Sequence, residues 1–263
     1  MKIYFLFIIV IISTTIFSQE KSIATSFIAT EFLDADTFVG KDKFGFNYYI
    51  KNNVFFKNDN LELFQYKNVA LGKITKVDLL NPLKIILLYE DFNTIIIVDN
   101  QLNEIQKINF SENQTPIVAS AFGIAAQNKL WLFNNLTQQL GLFDLVKNNF
   151  QPLATPFSTS IKLYQSDYNH FYWVDILNHA YSCDLFGKIN SLGKIPIADE
   201  IKFISTQEYI YSKDNQLYLV DSSKNETNPI TIDRKSFKSF SYKEQILTIF
   251  TDREISTFKI QLP

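Results

Sequence analysis

Short apolar runs alternate with polar breaks along nearly the whole chain. From about residue 20 onward, runs of four to seven residues rich in Ile, Phe, Tyr, Val and Leu are separated by breaks that contain Asn, Asp and Lys. Few windows repeat apolar positions with the spacing of a helix. Many short, evenly spaced strands with turn residues between them predict an all-β sandwich, barrel or propeller.

A repeat of about 40 residues distinguishes between these three folds. Six strand–turn–strand units follow one another: Asn47–Lys57, Lys84–Asp99, Leu130–Asp144, His170–Asp184, Glu208–Asp221 and Ile246–Lys259. Their last apolar residues are spaced by 42, 45, 40, 37 and 38 residues. In four consecutive units the next residue is an aspartate: Asp99, Asp144, Asp184 and Asp221. This period predicts a single-domain β-propeller of about six four-stranded blades over residues 19–263.

The N-terminal part of the chain supplies a strand that the sixth unit lacks. That unit has room for only three strands before Pro263, and the run Ser26–Leu33 has no partner elsewhere in the scheme. We expect this run to close the last blade and so to cover two open sheet edges. Since the chain has only 7 glycines, asparagines such as those of Asn52-Asn53 and Asp214-Asn215 are expected to form the tight turns.

Residues 1–18 have the pattern of a cleaved export signal. Lys2 precedes the apolar run Ile3–Ile12, which is shorter than a membrane-spanning helix requires, and Ser18 provides a small residue at its end. An uncleaved anchor is the alternative. No cysteine stands at the predicted cleavage point, and no later apolar run is long enough to span a bilayer. We therefore predict a periplasmic or extracellular protein without a lipid anchor.

The charge restricts the class of partner, and the cysteine count restricts disulfide formation. The chain has 25 basic and 27 acidic residues, and removal of Lys2 with the signal leaves 24 against 27, a net charge of −3. No basic stripe indicates a nucleic-acid partner, and no basic cluster indicates binding to an anionic membrane surface. The single cysteine, Cys183, excludes an intramolecular disulfide and is expected to be a buried thiol.

Candidate catalytic chemistry is sparse. His170 and His179 match no metal-binding spacing, and turn positions explain them better. The sequence contains no nucleophile elbow and no phosphate-binding glycine loop, so we assign no catalytic residue, no metal ligand and no cofactor. One alternative remains open, because four carboxylates follow the second strands of their blades and would share one end of a ring: Asp91, Asp175, Asp214 and Asp252. They would suit a metal-dependent propeller hydrolase or lactonase, or they form turns.

Five residues are candidates for ligand binding. Asp78, Asn81 and Lys84 belong to the segment DLLNPLK, which would lie at the rim of the central channel. Trp131 and Trp173 occupy equivalent second strands, where an exposed ring could stack on a sugar or anchor a protein interface. For the segment the alternative is a structural turn, and for the tryptophans it is packing between blades.

The stretch Leu71–Asn100, LGKITKVDLLNPLKIILLYEDFNTIIIVDN, resembles a segment of uncharacterised secreted proteins from Bacteroidota. The signal ending Phe17-Ser18-Gln19 and the composition rich in Lys, Asn, Ile and Phe are also similar. The resemblance implies an envelope or extracellular propeller-like protein and brings no known activity.

Together these observations favour a non-catalytic binding or scaffold module of the bacterial cell envelope. We expect a monomer whose partner is a protein or a glycan, with no nucleic-acid partner. The metal-dependent hydrolase or lactonase and a carbohydrate-binding module are the alternatives.

Overall fold

The computed structural model describes residues 22–42, 44–58, 61–113, 115–233 and 236–262. The signal peptide predicted for residues 1–18 lies outside these ranges. The described chain folds into 24 strands with two short 3₁₀ turns, Glu90–Phe92 and Phe110–Glu112. Within it, neither helical turn has the length or the hydropathy of a membrane span.

Sixteen of the strands form four separate four-stranded sheets. Each strand pairs antiparallel with the next one along the chain, so each sheet is a meander. The first sheet contains β2 (Thr37–Lys41), β3 (Asn47–Lys51), β4 (Val54–Asn58) and β5 (Leu63–Tyr66), and the second contains β6 (Lys76–Asp78), β7 (Ile85–Tyr89), β8 (Thr94–Val98) and β9 (Glu104–Asn109). The third contains β10 (Ala119–Ile124), β11 (Lys129–Asn134), β12 (Gln139–Asp144) and β13 (Asn149–Pro152), and the fourth contains β14 (Ile161–Ser166), β15 (His170–Asp175), β16 (His179–Asp184) and β17 (Ile189–Lys194).

The remaining eight strands form one sheet. Its members are β1 (Ile23–Phe32), β18 (Glu200–Phe203), β19 (Glu208–Lys213), β20 (Gln216–Asp221), β21 (Glu226–Thr231), β22 (Ser239–Lys243), β23 (Ile246–Phe250) and β24 (Glu254–Ile260). They lie in the order β18-β19-β20-β21-β1-β24-β23-β22. Strand β1 pairs antiparallel with β24, which confirms that the N-terminal strand completes the last unit.

The all-β propeller-like fold is therefore confirmed, but the count of about six separate blades is wrong. The structure has four separate four-stranded sheets and one eight-stranded sheet. The difference arises at the start of β1, where Ile23 and Ala24 pair in parallel with Ile230 and Thr231 of β21. Since the rest of β1 pairs with β24, two units that the repeat predicted as separate share one sheet.

Hydrophobic clusters fill the spaces between neighbouring units. Strands β7 and β8 are buried along their whole length, because both faces of their sheet are covered. One cluster lies between the two halves of the eight-stranded sheet. Another joins that sheet to the first sheet through Leu33, Phe38 and Phe250. The packing thus returns to its starting point and closes a ring.

Polar residues form the turns as the sequence predicts. Asn52 and Asn53 have φ values of 49° and 59°, and Asp214 and Asn215 have φ values of 51° and 60°. This left-handed backbone suits two-residue hairpin turns, and asparagine tolerates it best among residues other than glycine.

The repeated aspartates at the ends of the third strands have the same structural role in each unit. Each carboxylate accepts hydrogen bonds from two backbone N–H groups of the turn that follows, for example Asp144 from Val146 and Lys147 at 2.9 Å each. The others are Asp99, Asp184 and Asp221. The repeat therefore marks a turn and not a site.

Candidate functional site

A cavity of about 450 Å³ lies at one end of the ring, and we call it the channel mouth. Its wall includes the last residues of five innermost strands, namely Lys41 of β2, Asp78 of β6, Ser166 of β14, Phe203 of β18 and Lys243 of β22. Its position follows directly from the repeat, because each unit begins at the channel and directs its first turn toward the same end of the ring.

Asp78 connects two units at this mouth. Its carboxylate accepts one hydrogen bond from Leu80 N at 2.7 Å and another from Ile124 N of β10 at 2.6 Å. Burial raises the pKa of Asp78, although these hydrogen bonds and the nearby Lys76 act in the opposite direction. Gly123 leaves room for this arrangement, because a Cβ at that position would overlap Ser166 and crowd the Asp78 carboxylate.

Two further carboxylates at the mouth are fixed by the turns that follow their strands. Asp42 accepts hydrogen bonds from Phe44 N and Phe46 N, and Asp167 accepts them from Asn169 N and His170 N. Since backbone donors hold them, these groups do not need to reorganise when a partner approaches. With Glu244, the mouth presents four acidic side chains against two lysines, Lys41 and Lys243.

Lys76 of β6 lies deeper in the channel and was not predicted. Its Nζ lies 3.0 Å from the centroid of the Tyr164 ring and 3.4 Å from the Tyr164 carbonyl oxygen, on β14 two sheets away. Burial, with a smaller contribution from Lys202, lowers the pKa of Lys76 to about 7. A charged residue two positions before Asp78 on an innermost strand was the signal that could have indicated it.

The structure divides the DLLNPLK segment between two places. Asp78 lines the channel mouth, whereas Asn81 and Lys84 line a neighbouring cavity of about 200 Å³. Asn81 Oδ1 accepts from Leu83 N, and Lys84 Nζ donates to Asn128 Oδ1 at 3.2 Å. Asn81 thus forms a turn, as the alternative interpretation held, and a ligand-binding role of the three residues stays a prediction.

Trp131 and Trp173 are not exposed, which corrects their prediction as binding residues. Trp131 is 0% exposed and Trp173 is 4% exposed. Trp131 Nε1 donates to the Asp167 carbonyl at 2.9 Å, and Trp173 stacks on Phe157 with ring centroids 4.6 Å apart. Both rings fill the space between the third and fourth sheets, because a second strand has neighbours on both faces. The alternative of packing between blades is the one observed.

The two histidines lie beside turns, and the cysteine lies in the core. His170 begins β15 and His179 begins β16, so they lie at opposite ends of one hairpin. Their backbone N–H groups donate to Asp167 and Asp175 at 2.7 and 2.8 Å. Cys183 is buried, and burial together with Asp184 raises its pKa to about 12, so it remains a protonated thiol.

The four carboxylates considered for a metal site follow second strands, at the end of the ring opposite the mouth. Asp175 accepts from Leu177 N and His179 N, and Asp252 pairs with Lys238 at 2.8 Å. Asp91 belongs to the first 3₁₀ turn, and Asp214 forms the β19–β20 turn. Across the ranges that the structure describes, no three His, Cys, Asp or Glu side chains are grouped to share a metal ion.

Comparison with solved structures identifies the same architecture in proteins of very different sequence. A streptogramin B lyase structure is 11% identical, with 89% of this chain and 98% of that chain covered and a TM-score of 0.56. BamB from Moraxella catarrhalis is 9% identical, with 89% and 99% covered and a TM-score of 0.53. A chain of the mitotic checkpoint complex is 10% identical, with 89% and 76% covered and a TM-score of 0.56.

No protein-family model matches the sequence, and no curated protein has significant similarity to it. Since these three structures share at most 11% identity with this chain, they show its fold alone.

Proposed function

We propose that this protein is a non-catalytic binding or scaffold module that recognises a protein partner through the channel mouth. The observation that carries the proposal is the set of rigid carboxylates there. Asp42, Asp78 and Asp167 each end or follow an innermost strand, and each is held by two backbone donors. A surface that is already organised loses little entropy on binding.

The charge of the mouth indicates the chemistry of the partner. Four acidic side chains face two lysines, so a segment with Lys or Arg side chains and backbone N–H groups is complementary to it. One of the similar structures is a chain of a multi-protein complex, which supports a binding role for this architecture.

The signal-like residues 1–18 and the resemblance to secreted Bacteroidota proteins support a location in the periplasm or outside the cell. Mass spectrometry of the native protein tests export, since a mature chain that retains Phe5–Val10 would contradict it.

A matched pair of charge reversals tests the binding face. Glu244 lies in the β22–β23 turn at the mouth, and Asp214 lies in the β19–β20 turn at the opposite end. Glu244→Lys should remove the partner that co-purifies from the envelope fraction of the producing cells, whereas Asp214→Lys should retain it. Equal recovery of the partner with both folded variants would contradict a role of the mouth.

A further inference from the structure

A second cavity lies where the two ends of the ring meet. Its volume is about 430 Å³, and it separates the sheet half formed by β22–β24 and β1 from the turn after β2. The cluster that closes this junction, built around Leu33, Phe38 and Phe250, lies elsewhere along it. The volume falls within the range of small-molecule sites in proteins.

The floor of the cavity is a row of small side chains across four strands. Ala29 pairs with Thr257, Thr257 pairs with Thr248, and Thr248 pairs with Ser241. All four line the cavity. Residues of this size leave the sheet face recessed at the row, so the cavity follows from the sequence of these strands.

One polar group on this floor has no partner. Thr257 is 6% exposed, and its Oγ1 is buried without a hydrogen-bond partner. An unsatisfied buried hydroxyl costs about 1–3 kcal/mol, and Thr257 lines this cavity, so a polar ligand group that reaches the hydroxyl would complete it.

The walls combine apolar side chains with both signs of charge. Ile28 and Ile246 provide carbon surface, while Lys41, Lys243 and Glu31 stand around it. Burial opposes ionisation of Glu31, but hydrogen bonds from Lys41 and Asn47 outweigh it and lower the pKa of that carboxyl. Both signs of charge are therefore present beside the aliphatic surface at neutral pH.

We propose that this cavity binds a short zwitterionic peptide with aliphatic side chains, of the size of a dipeptide. The hydroxyl row bonds to its peptide group, the isoleucines contact its side chains, and the lysines and acidic groups bind its carboxylate and ammonium ends. The inference goes beyond the proposed function and does not need it. Ser241, Lys41 and Lys243 line both this cavity and the channel mouth, whereas Ala29, Thr248 and Thr257 line this cavity and not the mouth.

Calorimetric titration with the dipeptide Leu-Leu tests the proposal on the full chain. We expect saturable binding of one peptide per protein at millimolar concentration or below. N-acetyl-Leu-Leu and Leu-Leu amide should each bind roughly tenfold more weakly, since each lacks one charge. No saturable binding of Leu-Leu, or equal binding of the blocked peptides, would overturn the assignment.

Two variants locate the site, and a third is the control. Thr257→Val should weaken Leu-Leu binding roughly fivefold to tenfold while the unfolding temperature of the free protein stays equal or rises. Ala29→Leu should abolish binding by filling the cavity. Thr25→Val, which lies on β1 with Ala29 but outside the cavity, should bind Leu-Leu as the parent protein does. Unchanged binding in both cavity variants would refute the site. If Ala29→Leu does not fold, Thr257→Val alone decides.

The two proposals fail separately. Weaker Leu-Leu binding by Thr257→Val with the envelope partner retained supports this cavity whatever the mouth does. Leu-Leu binding that is insensitive to the floor residues refutes this cavity. Because Glu244 borders both cavities, the Glu244→Lys result is compared with Thr257→Val, which changes this cavity alone.

Discussion

Replacement of Lys76 by methionine should stabilise the protein, and the gain should be largest at neutral and acidic pH. The Lys76 amine is buried against the Tyr164 ring, and Lys202 adds a second positive charge nearby. These surroundings lower its pKa from 10.5 to about 7. The folded protein therefore bears a cost whenever this amine is charged, and methionine removes that cost while it keeps most of the volume.

The pH dependence follows from the two pKa values. Below pH 7 the amine is charged in the folded and the unfolded protein, so the cost is fully present. Between pH 7 and 10.5 the folded protein releases the proton while the unfolded chain keeps it, so the stability of the parent protein rises with pH. The difference in pKa corresponds to about 5 kcal/mol at most. Since the aromatic ring and residual solvent compensate part of this, we expect a gain of about 2–3 kcal/mol at pH 6.

Urea unfolding of the parent protein and Lys76→Met at pH 6, 8 and 10 measures this gain. The difference in unfolding free energy should fall by up to about 1.4 kcal/mol per pH unit above pH 7. Lys107→Met, at an exposed position of the outer strand β9, should show no such trend. Asp78 faces Lys76, so Asp78→Asn should move the trend to lower pH. A difference that is independent of pH, or a less stable Lys76→Met at every pH, would refute the reasoning.

Three further changes test other parts of the fold. Gly123→Ala should lower the unfolding free energy by about 1–3 kcal/mol in urea titrations, because its Cβ would overlap Ser166. The double variant with Ser166→Gly should recover most of this loss, and no recovery would contradict the contact. Deletion of residues 22–33 should lower the unfolding midpoint sharply, because it removes the pairing of β1 with β24 and exposes an edge; an unchanged midpoint would contradict closure by β1. His170→Ala with His179→Ala should change the unfolding free energy by no more than about 0.5 kcal/mol each, and a loss of several kcal/mol would reveal a role that their turn positions do not explain.

The repeat of apolar strands and polar turns was sufficient to predict the all-β propeller-like fold, but not the number of separate sheets. Periodicity places β7, β8 and their equivalents, and the Asn52-Asn53 and Asp214-Asn215 turns agree with the structure. The pairing of the N-terminal strand followed from a count of strands per unit. The shared eight-stranded sheet could not be predicted, since it depends on two residue pairs between β1 and β21 that only the closed ring brings together.

The candidate site was predicted only in part. Asp78 lies at the mouth, but Trp131 and Trp173 are buried, because strand periodicity does not say whether a face is covered by a neighbouring sheet. Lys76 was missed because its surroundings come from β14, about 90 residues away along the chain. The row of Ala29, Thr257, Thr248 and Ser241 is visible only once the register of four strands is known.

Photo-cross-linking in the producing cells tests most directly whether the mouth is the binding face. A photoreactive amino acid replaces Glu244 at the mouth in one variant and Asp214 at the opposite end in a matched one. Both lie in two-residue turns with positive φ, so both variants must first be shown to fold by circular dichroism. Our account predicts a discrete cross-linked protein from position 244 and none from position 214. A cross-link from position 214 alone would contradict it.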